Sequence, residues 1–297
     1  MNTILITGSN GFLGSFLCNY FFTQNNYKLI GLVRSTSDRY RINHMSSLID
    51  IYEIDKVDLE FIFSKHKIDI IINTVCNYGR NNSTYDELLH SNFIFGKNLI
   101  DSAINYNVDL FINTDTLLPN NLNPYSETKT LFRNYMKSLN FDLKVLNLRI
   151  DHMYGPKDDN NKFIQWLIDE IRYTSNQIGL TSGEQLRDFI YIDDVVEAYH
   201  HIIMNKSIFK SKYNELDLIT NCLTPMKEII TLLAEKLSNV DKKLYLSRLS
   251  FGEKKYRKNE PMRPKLSNKS LTSLGWKPKY DLETGLNKVV MKQLYKK

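Results

Sequence analysis

The chain has no apolar run approaching the roughly 18 residues a membrane span requires, so no membrane partner is expected. Its first residues lack a basic segment ahead of a signal-like apolar core and a small-residue cleavage site. That predicts no export signal and a cytoplasmic location. Cysteine is scarce. Cys18, Cys76 and Cys222 are odd in number and far apart, which suits neither a disulfide framework nor a zinc site. Reduced thiols and no metal centre are the expectation. Internal repeats and low-complexity blocks are missing as well. Lys and Arg outnumber Asp and Glu by 39 to 33, a net charge of +6. The basic residues are scattered among acids, and the Lys-rich stretches near 242–258 and at the C-terminus read as solvated surface. This argues against nucleic acid as a partner and is compatible with a phosphorylated small molecule.

What is present is a strand–helix rhythm. A chain of 297 residues can bury one large α/β unit plus a smaller lobe. Continuous apolar runs predict strands at 3–7, 28–33, 50–54, 69–75, 109–114 and 143–149. Helical patterns fall between them at 12–23, 58–65, 85–106 and 126–139. This alternation implies an α/β fold, a Rossmann-like doubly wound parallel sheet with right-handed crossovers. After about residue 150 the rhythm breaks, with helices expected at 162–174, 194–205, 225–237 and 282–295. The expected organisation is a dinucleotide-binding domain over 1–150 plus about 187–215. A smaller α/β substrate lobe would take about 151–186 plus 216–297.

The first strand–helix junction is the most informative stretch. Gly8, Ser9, Asn10, Gly11, Phe12, Leu13 and Gly14 follow the apolar run Ile4-Leu5-Ile6. Closely spaced glycines there let the chain turn, let the backbone approach a pyrophosphate, and let the helix pack on the strand. The helix N-terminus then offers free N–H groups and the positive end of its dipole to the anion. The spacing is Gly-x-x-Gly-x-x-Gly rather than the commoner Gly-x-Gly-x-x-Gly.

In doubly wound sheets ligands bind beyond the carboxyl ends of the strands. The second strand ends in Val33-Arg34-Ser35. A basic residue there accommodates a 2′-phosphate, so Arg34, helped by Ser35 or Arg39, favours NADP(H); Asp38 nearby keeps NAD(H) open. Asp55 after the third strand is positioned to accept from an adenine amino group. Thr74 and Val75 after the fourth would pass beside the cofactor. The fifth strand ends in Asn113-Thr114-Asp115-Thr116, and Tyr125 and Lys129 follow at i and i+4 on one helix face. A nearby ammonium favours phenolate and is expected to bring Tyr125 down toward neutrality, where it can pass a proton.

Together these residues resemble the extended short-chain dehydrogenase/reductase family that acts on nucleotide sugars. The resemblance covers nearly the whole chain. It rests on the Thr7-Gly8 to Gly14 turn, Asn92 with Gly96, Tyr125/Lys129, Leu148-Arg149 to Tyr154-Gly155-Pro156, Arg187-Asp188-Phe189-Ile190 to Asp193-Asp194, and Leu274-Gly275-Trp276. It implies that Tyr125 is the proton donor and that Lys129 binds the nicotinamide ribose and tunes Tyr125. It implies that Thr114 holds the sugar O4, with Thr116 as its alternative, and it leaves Asp115 a substrate-side residue of open role. Arg187, and Arg263 with it, would meet the nucleotide diphosphate, while Asn161, Lys162 and Phe163 would line the nucleotide-sugar cleft. A homodimer through the Tyr125/Lys129 helix is implied too, with Leu131, Phe132, Tyr135 and Met136 available to it. One departure matters: the family's 4,6-dehydratases carry Thr-Asp-Glu at this strand end, and the second carboxylate is replaced here by Thr116.

The expected activity is therefore NADPH-dependent reduction of a nucleoside-diphosphate 4-keto-6-deoxy- or 3,6-dideoxyhexose, feeding surface-polysaccharide synthesis. A C4 epimerase with retained NAD uses the same Tyr and Lys and stays open. A non-catalytic dinucleotide sensor is the third reading, and the presence of both residues argues against it.

Overall fold

A computed structural model of the chain describes residues 1–80, 82–267 and 269–294. In chain order its elements begin with β1 (Asn2–Thr7), α1 (Phe12–Thr23), β2 (Tyr27–Val33), β3 (Asp50–Glu53), α2 (Leu59–Lys65) and β4 (Ile70–Asn73). A helical run follows as α3 (Tyr85–Leu89), a π-turn (His90–Ile94) and α4 (Phe95–Asn105). Next come β5 (Leu110–Thr116), α5 (Pro124–Ser138), β6 (Lys144–Ile150), β7 (His152–Tyr154), α6 (Phe163–Tyr173), β8 (Ile178–Leu180) and β9 (Leu186–Tyr191). The chain finishes with α7 (Ile192–Met204), β10 (Tyr213–Leu218), β11 (Leu223–Pro225), α8 (Met226–Asp241), β12 (Leu249–Phe251) and α9 (Leu282–Leu294). Tyr295, the expected end of the last helix, lies outside the described residues.

Two units emerge. The first comprises Met1–Ile150, Ala198–Asp217 and Ser267–Lys269. It holds a seven-stranded sheet in the order β10-β6-β5-β4-β1-β2-β3. The pairings from β3 across to β6 are all parallel, as the continuous apolar runs require. The strand order reverses at β1, whose neighbours are β2 and β4, and this is where a doubly wound sheet opens a crevice at its carboxyl edge. On one face Ile30, Leu5, Ile71, Phe111 and Val145 form an apolar layer against Leu99, Ile100, Phe132 and Met136. Two residues further along the same strands, the layer turns polar at Thr7, Asn73, Asn113 and Asn147, which are paired in register.

Helix α5 begins where its sequence dictates. The Asn123 side chain accepts from the Ser126 N–H in a reciprocal cap, and Pro124 takes the first helical position, where its fixed φ fits and its missing N–H costs nothing. Phe132 and Met136 are consumed in the chain's own core. Of the four residues considered for a dimer face, Leu131 is exposed, while Tyr135 is half-buried and hydrogen-bonded to Asp101.

The second unit comprises Asp151–Glu197, Leu218–Leu266 and Ser270–Lys297. Its three-stranded sheet places β9 between β11, antiparallel, and β7, parallel, and β8 pairs with β12. The segment 187–197 therefore stays with this unit; the chain re-enters the first unit inside α7, at Ala198, later than the expected 187. Asp194 fixes the approach to α9 by accepting from the N–H groups of Lys279 and Tyr280.

Helix α4 lies so close to α5 that a Cβ on Gly96 would sit 2.7 Å from the Phe132 ring. Gly96→Ala is expected to destabilise the chain by about 1–3 kcal/mol through overpacking, although alanine is the better helix former. Thermal or urea unfolding checks this; an unchanged or raised midpoint would contradict the packing described.

Candidate active site

The glycine turn is built for close approach. β1 delivers Gly8 at φ +61°, a left-handed conformation that favours glycine. The Gly11 N–H then donates to the Gly8 carbonyl at 2.9 Å. A Cβ on Gly14 would lie 2.2 Å from that same carbonyl oxygen, so α1 can seat on the turn only with glycine there. No side chain caps α1 and no acid stands in its first turn. Its leading N–H groups, from Phe12 onward, are left for an external acceptor. The end of β4 is tied to the turn: Thr74 N–H donates to Thr7 Oγ1 at 3.1 Å, and Thr74 Oγ1 donates to the Thr7 carbonyl at 2.7 Å. Val75 lies against Gly8. The structure thus brings Gly8, Gly11, Phe12, Leu13, Gly14, Thr74 and Val75 together. The Cβ-free surface and uncapped helix fit a dinucleotide pyrophosphate.

At the far edge of β2 the polar groups engage one another. Ser35 donates through its N–H to Asp55 at 2.8 Å and also bonds it through its hydroxyl. These bonds from Ser35 hold the exposed Asp55 carboxyl below its ordinary range. Arg39 pairs with Glu53. Asn10 Nδ2 donates to the Asp38 carbonyl at 2.8 Å, which ties the glycine turn to this loop. Arg34 is exposed and, among the described residues, bonds no other side chain. Arg41 was not singled out from the sequence. It is buried, stacks over the Tyr40 ring at 4.8 Å and reaches the Asn10 carbonyl at 3.4 Å.

The third cluster joins β5 to α5. Tyr125, Lys129 and Arg133 stand at i, i+4 and i+8, one stripe of the helix. Lys129 is buried and its Nζ donates to the Thr114 carbonyl at 2.8 Å. Arg133 donates from Nε to Asp115 at 2.7 Å and from Nη2 to the Thr116 carbonyl at 3.2 Å. Two buried cations therefore stitch the helix to the strand end. The Tyr125 ring packs against Tyr78, with centroids 5.2 Å apart. The loop bearing Tyr78 is held through Asn92 in the π-turn, which accepts from Asn77 N–H at 2.8 Å and donates to Asn77 O at 2.9 Å and Thr128 Oγ1 at 3.0 Å.

Three expectations meet a different local arrangement here. Tyr125 is not acidified: burial, then Cys76, Tyr78 and Asp115 around it, push its phenol well above the ordinary range, while Lys129 is committed to a carbonyl. Thr114 is not the end of its strand. β5 runs on to Thr116, and the Thr114 hydroxyl is engaged with the buried Tyr199 hydroxyl at 2.7 Å. Thr116 occupies the strand end; its Oγ1 accepts from Leu118 N–H at 3.1 Å, which leaves its hydroxyl hydrogen to donate. Asp115 is engaged within the protein. Its buried carboxylate accepts from Arg133 Nε, Asn147 Nδ2 and the Thr116 N–H, each at 2.7 Å.

In the second unit Arg187 is buried and does not pair with Asp188, Asp193 or Asp194. It binds Glu260 through Nη2, and donates through Nη1 to the carbonyls of Leu186 and Pro261 at 2.7 Å. Arg263 is exposed two residues beyond that carbonyl. Asn161 is exposed, Lys162 leads into α6 with its carbonyl accepting from Trp166 N–H at 2.8 Å, and the half-buried Phe163 ring lies 6.0 Å from Trp166. Asp188 accepts from the N–H and hydroxyl of Thr220, yet burial outweighs these bonds and lifts its carboxyl to about 6.

A doubly wound parallel sheet with this glycine turn, and a Tyr–Lys pair on the helix after its fifth strand, defines a dinucleotide-binding protein of the short-chain dehydrogenase/reductase class. The chain matches the NAD dependent epimerase/dehydratase family over residues 4–214 and belongs to it. It is 29% identical over 300 residues to a CDP-abequose synthase of Salmonella typhimurium, covering 97% of both chains. It shares its fold with a UDP-glucose 4-epimerase of Thermotoga maritima solved with UDP-glucose, at a TM-score of 0.80 and 24% identity over 98% of this chain and 99% of that one. A dTDP-glucose 4,6-dehydratase of Bacillus anthracis in complex with NAD also superposes at a TM-score of 0.80, with 17% identity over 100% of this chain and 97% of that one.

Asp188 sets a pH dependence. Its folded pKa of about 6 lies above the ordinary 3.8, so its contribution to stability is full below pH 4 and is lost as pH rises through 6. A rise of that size corresponds to about 3 kcal/mol. Between pH 4 and pH 7 the stability of Asp188→Asn is expected to gain on the wild-type chain by about that amount, read from urea midpoints. A difference that does not change with pH would refute it.

Proposed function

We propose that the chain is an NADPH-dependent 4-ketoreductase of a nucleoside-diphosphate 6-deoxy- or 3,6-dideoxy-4-ketohexose, working in the cytoplasm on sugars for a surface polysaccharide. The observation that carries this reading is the placement of Tyr125 one helical turn before Lys129, whose Nζ is bonded to the carboxyl-terminal part of β5. Reduction of a ketone consumes one hydride and one proton. When bound, the dinucleotide supplies the hydride chemistry. Tyr125 supplies the proton to the substrate oxygen. Thr116 donates a hydrogen bond to the same oxygen, the role first expected of Thr114. Gly8, Asn10, Gly11, Phe12, Leu13 and Gly14 would hold the pyrophosphate, with Thr74 and Val75 beside it. Lys129 and Tyr125 would hold the nicotinamide ribose.

The exposed cation Arg34 supports NADP(H), because a 2′-phosphate needs a positive partner that is not already spent. Arg187 and Arg263 supply positive charge for a diphosphate, Arg187 by exchanging Glu260 for it, and Asn161, Lys162 and Phe163 are the further nucleotide-sugar contacts. The similarity to CDP-abequose synthase supports a dideoxyhexose substrate. Dehydration is disfavoured, since Asp115 is locked to Arg133 and Thr116 replaces a second acid. The fold shared with a UDP-glucose 4-epimerase keeps a second reading, an epimerase with retained NAD. Release of cofactor from the purified protein, tested for a 2′-phosphate, separates the two. Retained NAD without NADPH consumption would favour the epimerase. A homodimer through α5 is part of the proposal, with Leu131 as its exposed apolar contact.

Tyr125→Phe is expected to lower kcat about 10²–10⁴-fold while dinucleotide binding persists. Thr116→Val is expected to cost about 10²-fold in kcat. Thr114→Val should instead leave kcat nearly unchanged and lose about 1–3 kcal/mol of stability, because the buried Tyr199 hydroxyl is left unpaired. Steady-state kinetics on a panel of 4-keto nucleotide sugars, with unfolding curves beside them, check all three. Equal losses of kcat at Thr114 and Thr116, or an active Tyr125→Phe, would remove the assignment.

A further inference from the structure

Four parallel strands carry a buried polar side chain at the same level: Thr7 on β1, Asn73 on β4, Asn113 on β5 and Asn147 on β6. Amides are poor strand residues, and a buried amide without partners is costly. These are all paired, and in one direction. Thr7 Oγ1 donates to Asn73 Oδ1 at 2.8 Å, Asn73 Nδ2 to Asn113 Oδ1 at 3.0 Å, Asn113 Nδ2 to Asn147 Oδ1 at 2.7 Å, and Asn147 Nδ2 to Asp115 Oδ2 at 2.7 Å and, at the longer distance of 3.3 Å, to Glu215 Oε2. The direction follows from the last member. A carboxylate can only accept, and that of Asp115 is paired with the Arg133 guanidinium. Asn147 must therefore turn its NH2 toward Asp115 and its oxygen toward Asn113, and each amide in turn repeats the choice. At the far end the Thr7 hydroxyl has to give its hydrogen to Asn73. Its oxygen lone pairs then face the other way, where they receive the Thr74 N–H at 3.1 Å. Thr74 is the residue that borders Gly8: a Cβ on Gly8 would lie 3.1 Å from its hydroxyl oxygen.

We infer that Asp115 is a positioning residue for the dinucleotide: through this one-way chain of amides it sets the orientation of Thr7 and Thr74, and so the shape of the Gly8 turn two strands away. Hydrogen-bond chains in a low-dielectric interior polarise one another, so the carboxylate's influence extends beyond its nearest neighbour. Asp115 also holds the Thr116 N–H, so the same carboxylate anchors the strand end proposed for the substrate oxygen. The inference rests on the reading of Gly8–Gly14 as the pyrophosphate turn, and it is indifferent to which keto sugar is reduced.

The test measures Kd for NADP⁺ and NAD⁺ by calorimetry, with thermal midpoints, on the wild-type chain and three variants. Asp115→Asn removes the nearer of the two carboxylates that accept from Asn147 and leaves only the longer bond to Glu215. Asn147→Leu cuts the chain at its next link while leaving the Asp115–Arg133 pair in place, and serves if Asp115→Asn does not fold. Ile71→Val weakens the apolar layer beneath the chain without touching it. Asp115→Asn and Asn147→Leu are each expected to raise Kd about fivefold or more, the usual lower range of coupling between sites, and the double variant no further than the worse single one. Ile71→Val is expected to lower the midpoint and leave Kd unchanged. Unchanged Kd in both ladder variants, or losses that merely follow the midpoint across all three, would overturn the inference. A wild-type chain that binds neither dinucleotide would overturn the pyrophosphate-turn reading itself, a result distinguishable from the first because it precedes any substitution.

Discussion

The register of β1, β4, β5 and β6 is the constraint from which the rest of the first unit follows. In a sheet the side-chain period is two, so a slip of one residue moves every side chain to the other face. Here a slip would carry Asn73, Asn113 and Asn147 from their mutual bonds to the level of Ile72, Ile112 and Leu146. Apolar runs such as Ile70-Ile71-Ile72 are nearly degenerate and would tolerate the slip by packing alone. The amides would not, because each unpaired buried amide costs about 1–3 kcal/mol. The apolar layer supplies most of the burial, and the polar layer selects one alignment. That alignment brings the Gly8 turn and the Thr116 strand end to the same edge of the sheet.

The stripe of α5 works on the same edge from outside. Lys129 and Arg133 spend their charges on the carbonyls of residues 114 and 116 and on Asp115. A buried ion pair adds little net stability over an apolar substitute, because desolvation offsets the attraction. Its value here is geometric: the helix cannot slide along the strand without leaving a cation unpaired. Tyr125, in the first turn, is thereby placed relative to the end of β5 by these two cations.

The sequence disclosed the first 150 residues far better than the remainder, and the physical reason is length. Strands covered on both faces leave continuous apolar runs, and helices such as 12–23 leave a full period. By contrast β7, β8, β11 and β12 span three residues each, too few to carry any period. The short reading of β5, ended at Thr114, has a different origin. Asp115-Thr116 reads as the polar start of a loop, and nothing local reveals that Arg133 neutralises the carboxylate or that Tyr199, 85 positions away, takes the Thr114 hydroxyl. The acidification expected of Tyr125 failed likewise, because helical spacing fixes which residues share a face but not where an ammonium is spent. The sequence does carry a signal of the polar layer: Ile72-Asn73, Ile112-Asn113 and Leu146-Asn147 repeat an apolar residue followed by Asn near the carboxyl end of three strands. Unexplained amides in phase on neighbouring strands are a pairing signal, since only one another's company makes their burial tolerable.

The arginines divide into solvated and engaged ones, and the division bears on how an anionic ligand gains affinity. Arg34 and Arg263 are exposed to water, so a phosphate beside either gains a charge-assisted bond against water alone. Arg187 is buried and satisfied, with Glu260 and two carbonyls as partners. A diphosphate that reaches it gains only the difference between its own contact and the one it replaces, and Glu260 must be rehydrated. Such an exchange contributes little affinity but strong discrimination, because a neutral or misplaced ligand cannot displace the carboxylate. In the reductase reading the two kinds of cation therefore take separate tasks: the exposed arginines draw the anionic ligands in, and Arg187 tests whether the group that arrives carries a charge able to take Glu260's place.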